Sequence, residues 1–180
     1  MKRKTVFWFT NLVGPLILLS YWRGVGAFDD PTVYWGDVPE RMQTLIVPWM
    51  FVAAAGYLMM FYRFFLAWSE EEVASLHWPW AANDGKGVQR LFTLYAAFLL
   101  TSLVWIDLTR IYIEGPSTLG AVAIVAVLWT AGLASVGFGV LVWSSRDRLQ
   151  GSNIALAGCV MLSIQCTWWD AIYWVLNFAW

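Results

Sequence analysis

Charge is scarce in this sequence. Of its 180 residues, 13% are charged and 60% are apolar, with a mean hydropathy of +0.60. A soluble domain carries about 25% charged and about 45–50% apolar residues, so a soluble globular fold is excluded. Disorder is excluded as well, because it needs low hydrophobicity. The net charge is −1, which leaves no basic excess to bind nucleic acid. Histidine occurs once, as His77 in a connecting segment, which rules out a zinc or haem site built from several His and Cys ligands. His77 itself reads as an interface residue. No lysine falls inside an apolar run, so no retinal Schiff base can form. There is no phosphate-binding glycine loop and no nucleophile elbow. Cys159 and Cys166 are two helical turns apart, roughly 10 Å, too far for a disulfide. They read as free, buried thiols.

What is present are long apolar runs. A helix needs about 20 such residues to cross a bilayer. Five segments qualify, at about 5–22, 42–68, 90–113, 117–145 and 152–180. Alternation of period two is absent, which argues against a transmembrane barrel. The expected fold is an all-α integral membrane bundle of five transmembrane helices, forming a single domain over 1–180. Lys2, Arg3 and Lys4 before the first run give it the outline of a signal peptide. The run exceeds the usual apolar stretch of about 7–15 residues, so it is read as a retained first helix. Placing the N-terminus in the cytoplasm puts 8 of the 11 Lys and Arg inside, with the C-terminus outside. The loop 23–41 carries Asp29, Asp30, Asp37 and Glu40 beside Pro31, Trp35 and Pro39, and reads as a lid folded over the bundle. Ser69 with Glu72 has the spacing of a capping box that starts a short interfacial helix through about Leu76. Arg63 should snorkel to the headgroups, while Asn11 and Asn177 could bond across helices.

Charges inside spans face the interior or pair. Asp107 and Arg110 share a face of the third span, and Asp170 lies at similar depth in the fifth. Two readings stay open for these three residues: a network pinning the two spans together, or a polar patch at the mouth of a cavity between them.

Fourteen tryptophans are present. Trp8, Trp68, Trp78, Trp80 and Trp143 match an inner interfacial belt, and Trp22, Trp35, Trp49 and Trp180 an outer one. Trp105, Trp129, Trp168, Trp169 and Trp174 fall within spans. Of these, Trp105, Trp168, Trp169 and Trp174 lie near the depth of the carboxylates. An indole wall beside carboxylates suits a flat apolar or cationic ligand, and also suits plain packing. In the fourth span, Ala131, Ser135 and Gly139 recur every four residues, a spacing for close packing inside the bundle or across a homodimer.

In the third span, Leu94-Tyr95 is followed by Phe98, Ser102 and Trp105. This resembles the Leu-Tyr-x-x-Gln-x-x-x-Asn-x-x-Trp pattern of the translocator protein or tryptophan-rich sensory protein family, with Phe98 and Ser102 standing where that pattern has Gln and Asn. Leu176-Asn177 is similar to a pair in that family's last helix, while the family's Trp-x-Pro-Pro loop motif is absent, with only Tyr34-Trp35 and Pro39 in its place. The resemblance implies a helical bundle, often a homodimer, that binds a tetrapyrrole such as a porphyrin, or a sterol, beneath the first loop.

The leading expectation is a binding protein for a hydrophobic planar molecule, held between the third and fifth spans. Its candidate site is Trp35, Tyr95, Trp105, Asp107, Arg110, Trp168, Trp169, Asp170 and Trp174. An accessory subunit of a larger membrane complex is the alternative. A transporter or enzyme using Asp107 and Asp170 ranks last, since no complete catalytic motif is visible.

Overall fold

The computed structural model describes residues 1–81 and 83–180. Among the described residues every regular element is a helix, with no strands. Five helices are long and apolar enough to cross a membrane: α1 (Arg3–Val25), α2 (Glu40–Ala67), α4 (Gly87–Glu114), α5 (Thr118–Ser145) and α6 (Ser152–Asn177). They alternate in direction. One end of the bundle, here called basal, holds the start of α1, and the far end holds the loop 23–41. A short helix, α3 (Glu70–Ala74), lies between α2 and α4 at the basal end. Ser69 and Glu72 form its capping box, as their spacing predicts, but the helix stops at Ala74.

The packing order is α1, α4, α5, α6, α2. Small residues set the approaches. A Cβ on Gly24 of α1 would lie 2.6 Å from Ile106 of α4, and one on Gly137 of α5 would lie 2.7 Å from Leu94 of α4. Gly56 of α2 faces the Gly158 carbonyl of α6, which a Cβ would approach to 2.7 Å. Lipid tails are as apolar as leucine, so such close backbone contact replaces the hydrophobic effect as the glue between helices. Ala131 and Ser135 are buried inside the bundle, and only Gly139 of that stripe lies on an outward groove. Aromatic contacts from Phe7 to Phe61 and Phe65 join α1 to α2 at the basal end.

Two apolar cores stack along the bundle. The basal core gathers Phe64, Tyr95, Phe138 and Leu141, and the far core gathers Tyr112, Ile124, Trp174 and Phe178. Two expectations about polar side chains are corrected. Asn11 and Asn177 do not bond across helices, because each amide donates to its own preceding turn, at Phe7 O and Tyr173 O (both 2.8 Å). In a helix a short amide reaches the carbonyl four residues back more readily than a neighbouring helix. Arg63 does more than snorkel: it packs over Gly151, whose φ of +65° leaves the space open, and Nη1 donates to Gln150 O at 3.4 Å. Trp68 is buried and donates to the same carbonyl at 2.8 Å.

The last part of α2, Arg63–Ala67, and the middle of α6, Ile164–Trp174, wind as π-helix. π-Winding is rare outside single turns and concentrates at functional sites.

Candidate functional site

The first loop docks on the end of α6 through its backbone. Asp30 accepts from Thr32 N at 2.9 Å and starts a 3₁₀ turn over Pro31–Trp35. Gly36 then turns at φ +56°, with Phe178 and Ala179 so close that a Cβ would meet them at 2.8 Å. Asp37 N donates to Asn177 O at 3.0 Å. Tyr34 is buried, its hydroxyl donates to Gly24 O at 2.8 Å, and its carbonyl accepts from Trp174 Nε1 at 2.9 Å. The lid expected from its composition is therefore seated on α1 and α6 together.

Beneath it lies an aromatic cluster. Trp105 of α4 meets Trp174 edge to face at 6.0 Å, and its Nε1 donates to the Tyr21 hydroxyl of α1 at 2.5 Å. Trp174 stacks on Phe178 at 4.3 Å, and Tyr112 contacts Phe178 at 6.0 Å. Trp169 packs against this far core beside Tyr173, and Trp35 lies half-buried at its edge. The space between α4 and α6 is thus filled with rings.

The charged residues divide into two networks. Arg23 of α1 bonds Asp107 at 2.5 Å, Arg110 lies 3.9 Å from the same carboxylate, and Arg110 also pairs with Glu114 at 2.8 Å. These residues staple α1 to α4. Asp170 instead accepts from Gln165 Nε2 at 2.7 Å, within α6. No hydrogen bond or ion pair joins the two carboxylates, so the expected Asp107/Arg110/Asp170 network is replaced by these two. The cause is winding and register: a π turn brings residues five apart over one another, which sets Gln165 above Asp170, and Arg23 reaches Asp107 from the end of α1.

Two further residues leave the expected site. Trp168 is 53% exposed and turns to the outward face of α5 and α6. Consecutive helical residues point to different sides, and here Trp168 turns outward while Trp169 packs against the far core. Tyr95 is fully buried in the basal core against Phe138 and Phe65. It is ten residues before Trp105, about 15 Å along the helix.

Sequence reasoning missed Tyr21, Tyr34 and Gln165. Gln165 is 5% exposed, and its Oε1 has no hydrogen-bond partner. The Nε1 atoms of Trp49 and Trp169 are buried without partners as well. An acceptor and two donors are thus buried without partners, and a buried polar group left unpaired is costly. No group of three or more His, Cys, Asp or Glu suited to a metal exists among the described residues.

Comparison of the chain with known protein families, with curated proteins and with solved structures gives no match.

Proposed function

We propose that this chain is a membrane-embedded binding protein for a hydrophobic, planar small molecule of the tetrapyrrole or sterol class. The ligand lies between α4 and α6 at the far end, beneath the loop 23–41. The observation that carries this reading is the open hydrogen-bonding capacity of Trp169 Nε1, whose ring packs against the far aromatic core, together with that of Gln165 Oε1 four residues earlier on α6. A flat ligand with one polar edge would stack on Trp105 and Trp174 and supply the missing partners. Loop 23–41 must lift for entry, which parts Tyr34 from Trp174 and lets the Trp105–Trp174 pair separate. The resemblance to the translocator protein family points to the same ligand classes. Asp107 belongs to the α1–α4 staple on this reading, and Asp170 holds Gln165 in place.

The test is tryptophan fluorescence of the protein in nanodiscs, titrated with protoporphyrin and with a sterol. Saturable quenching or displacement is expected, weakened about tenfold or more in Gln165→Leu, since an unpaired buried polar partner is worth about 1–3 kcal/mol. Flat titrations with both ligand classes would end the proposal.

A further inference from the structure

An outward groove runs along the seam of α5 and α6, away from the far-end cluster. Its volume is about 680 Å³. It exists because small residues line its floor: Gly139, Cys159 and Ser163 leave a trough between the larger Trp143 and Trp168 at its two ends. A Cβ on Gly139 would touch the Cys159 Cβ at 3.6 Å, so even alanine begins to fill it. The lining is apolar apart from Ser163 and Thr167. From Leu156 to Ile172 it extends about 20 Å along α6, more than the roughly 15 Å of one hydrocarbon leaflet.

The basal mouth is built differently. Pro79 lines the groove there, and its sequence neighbours Trp78 and Trp80 stack on each other at 5.5 Å, nearly parallel. That segment is clamped to the end of α5. The His77 backbone N–H donates to Ser145 Oγ at 3.0 Å, and Ser144 Oγ donates to the His77 carbonyl. The lone histidine is thus part of a structural clamp. On the other side of the mouth the Arg146 guanidinium lies 4.0 Å over the Trp143 ring, with Arg148 two residues on. Asp147 is 3.9 Å from Arg146 Nε with its side chain 92% exposed, and Arg146 Nη1 donates to the Trp143 carbonyl at 3.2 Å, which fixes the guanidinium beside the groove-lining indole.

We propose that this groove is a binding site for an anionic phospholipid of the basal leaflet, with one acyl chain in the trough and the phosphate at Arg146 and Arg148. Three features agree on that occupant. The trough is long enough for an acyl chain and is apolar apart from Ser163 and Thr167. Its mouth lies at headgroup depth, marked by stacked tryptophans. The charge at the mouth is positive and carried by arginine, which binds phosphate through its planar fork. The basal end also holds most of the Lys and Arg, and is the end the positive-inside rule places in the cytoplasm, where anionic lipids are enriched.

The experiment is native mass spectrometry of the whole protein released from detergent, titrated with phosphatidylglycerol and with phosphatidylcholine of identical acyl chains. The wild type should retain phosphatidylglycerol in preference to phosphatidylcholine. Arg146→Gln and Arg148→Gln should each weaken phosphatidylglycerol about fivefold and leave phosphatidylcholine unchanged. Gly139→Leu, which fills the trough, should weaken both lipids. The arginine variants alter only surface groups, so they decide the matter even where Gly139→Leu fails to fold. Equal retention of the two lipids, or unchanged phosphatidylglycerol binding in both arginine variants, would overturn the site. So would a dimer of the chain that Gly139→Leu dissolves, since a second copy would then fill the groove.

Discussion

Trp174 donates its indole N–H to the backbone carbonyl of Tyr34 across 2.9 Å, which ties the last transmembrane helix to the first loop, 140 residues earlier in the chain. The same indole stacks on Phe178 and meets Trp105, so one side chain joins the lid, the end of α6 and α4. Trp174→Phe keeps a ring in the cluster but leaves the buried Tyr34 carbonyl without its donor. Stability should fall by about 1–3 kcal/mol, and the loop around Asp29–Asp30 should be cleaved faster by a soluble protease. An unchanged melting temperature together with unchanged cleavage would show that the loop is held by something else.

The two glycines at the α2–α6 crossing should be far less replaceable than a glycine on the lipid side. Gly56→Ala would push a methyl to 2.7 Å from the Gly158 carbonyl, while Gly14→Ala meets nothing within 4 Å. The first should cost about 1–3 kcal/mol, as overpacking does. The second should stay within about 0.5 kcal/mol. Thermal melts of both variants in the same detergent compare them directly.

Arg23 and Asp107 are close, but the Arg23 side chain is 70% exposed. Exposed pairs are screened, so a double-mutant cycle of Arg23→Gln and Asp107→Asn should give a coupling below about 1 kcal/mol, smaller still at high salt. A coupling well above that, insensitive to salt, would mean the pair is shielded in the bilayer.

At the basal end, the Arg90 guanidinium hydrogen-bonds Asp84 at 2.8 Å and holds its carboxyl down at about 2, below the ordinary 3.8. A depressed folded value stabilises the structure above the ordinary carboxylate value and is lost as pH falls through the folded one. Between about pH 4 and pH 2 the start of α4 should therefore loosen, seen as faster amide exchange at Lys86–Arg90. Asp84→Asn should show that faster exchange already at neutral pH and lose its dependence on pH in this window.

Much of the fold was legible because a bilayer imposes a single length scale on apolar runs. The five spans, the capping box at Ser69 and the folded-back loop all follow from spacing and composition. The candidate site was legible only in part. Depth along a helix can be counted from the sequence, so Trp105, Trp169, Trp174 and Asp170 fell at the right level. Direction around the helix depends on winding. Treating α6 as uniform hid the pairing of Gln165 with Asp170, and ignoring the angle between neighbours placed Trp168 inside when it faces out. Tyr21 gave no signal, because a tyrosine near the end of an apolar run looks like a membrane anchor.

The eleven π-wound residues Ile164–Trp174 act as a vernier between the two ends of α6. The half before them is set by Gly158 against Gly56, and the half after them by the loop at Trp174 and Asn177. Removing one residue from this stretch while keeping every other side chain would rotate Trp174 by roughly a quarter turn relative to Gly158. The indole would then swing off Tyr34 with no loss of hydrophobicity. The length of α6 thus helps to set whether the lid is seated.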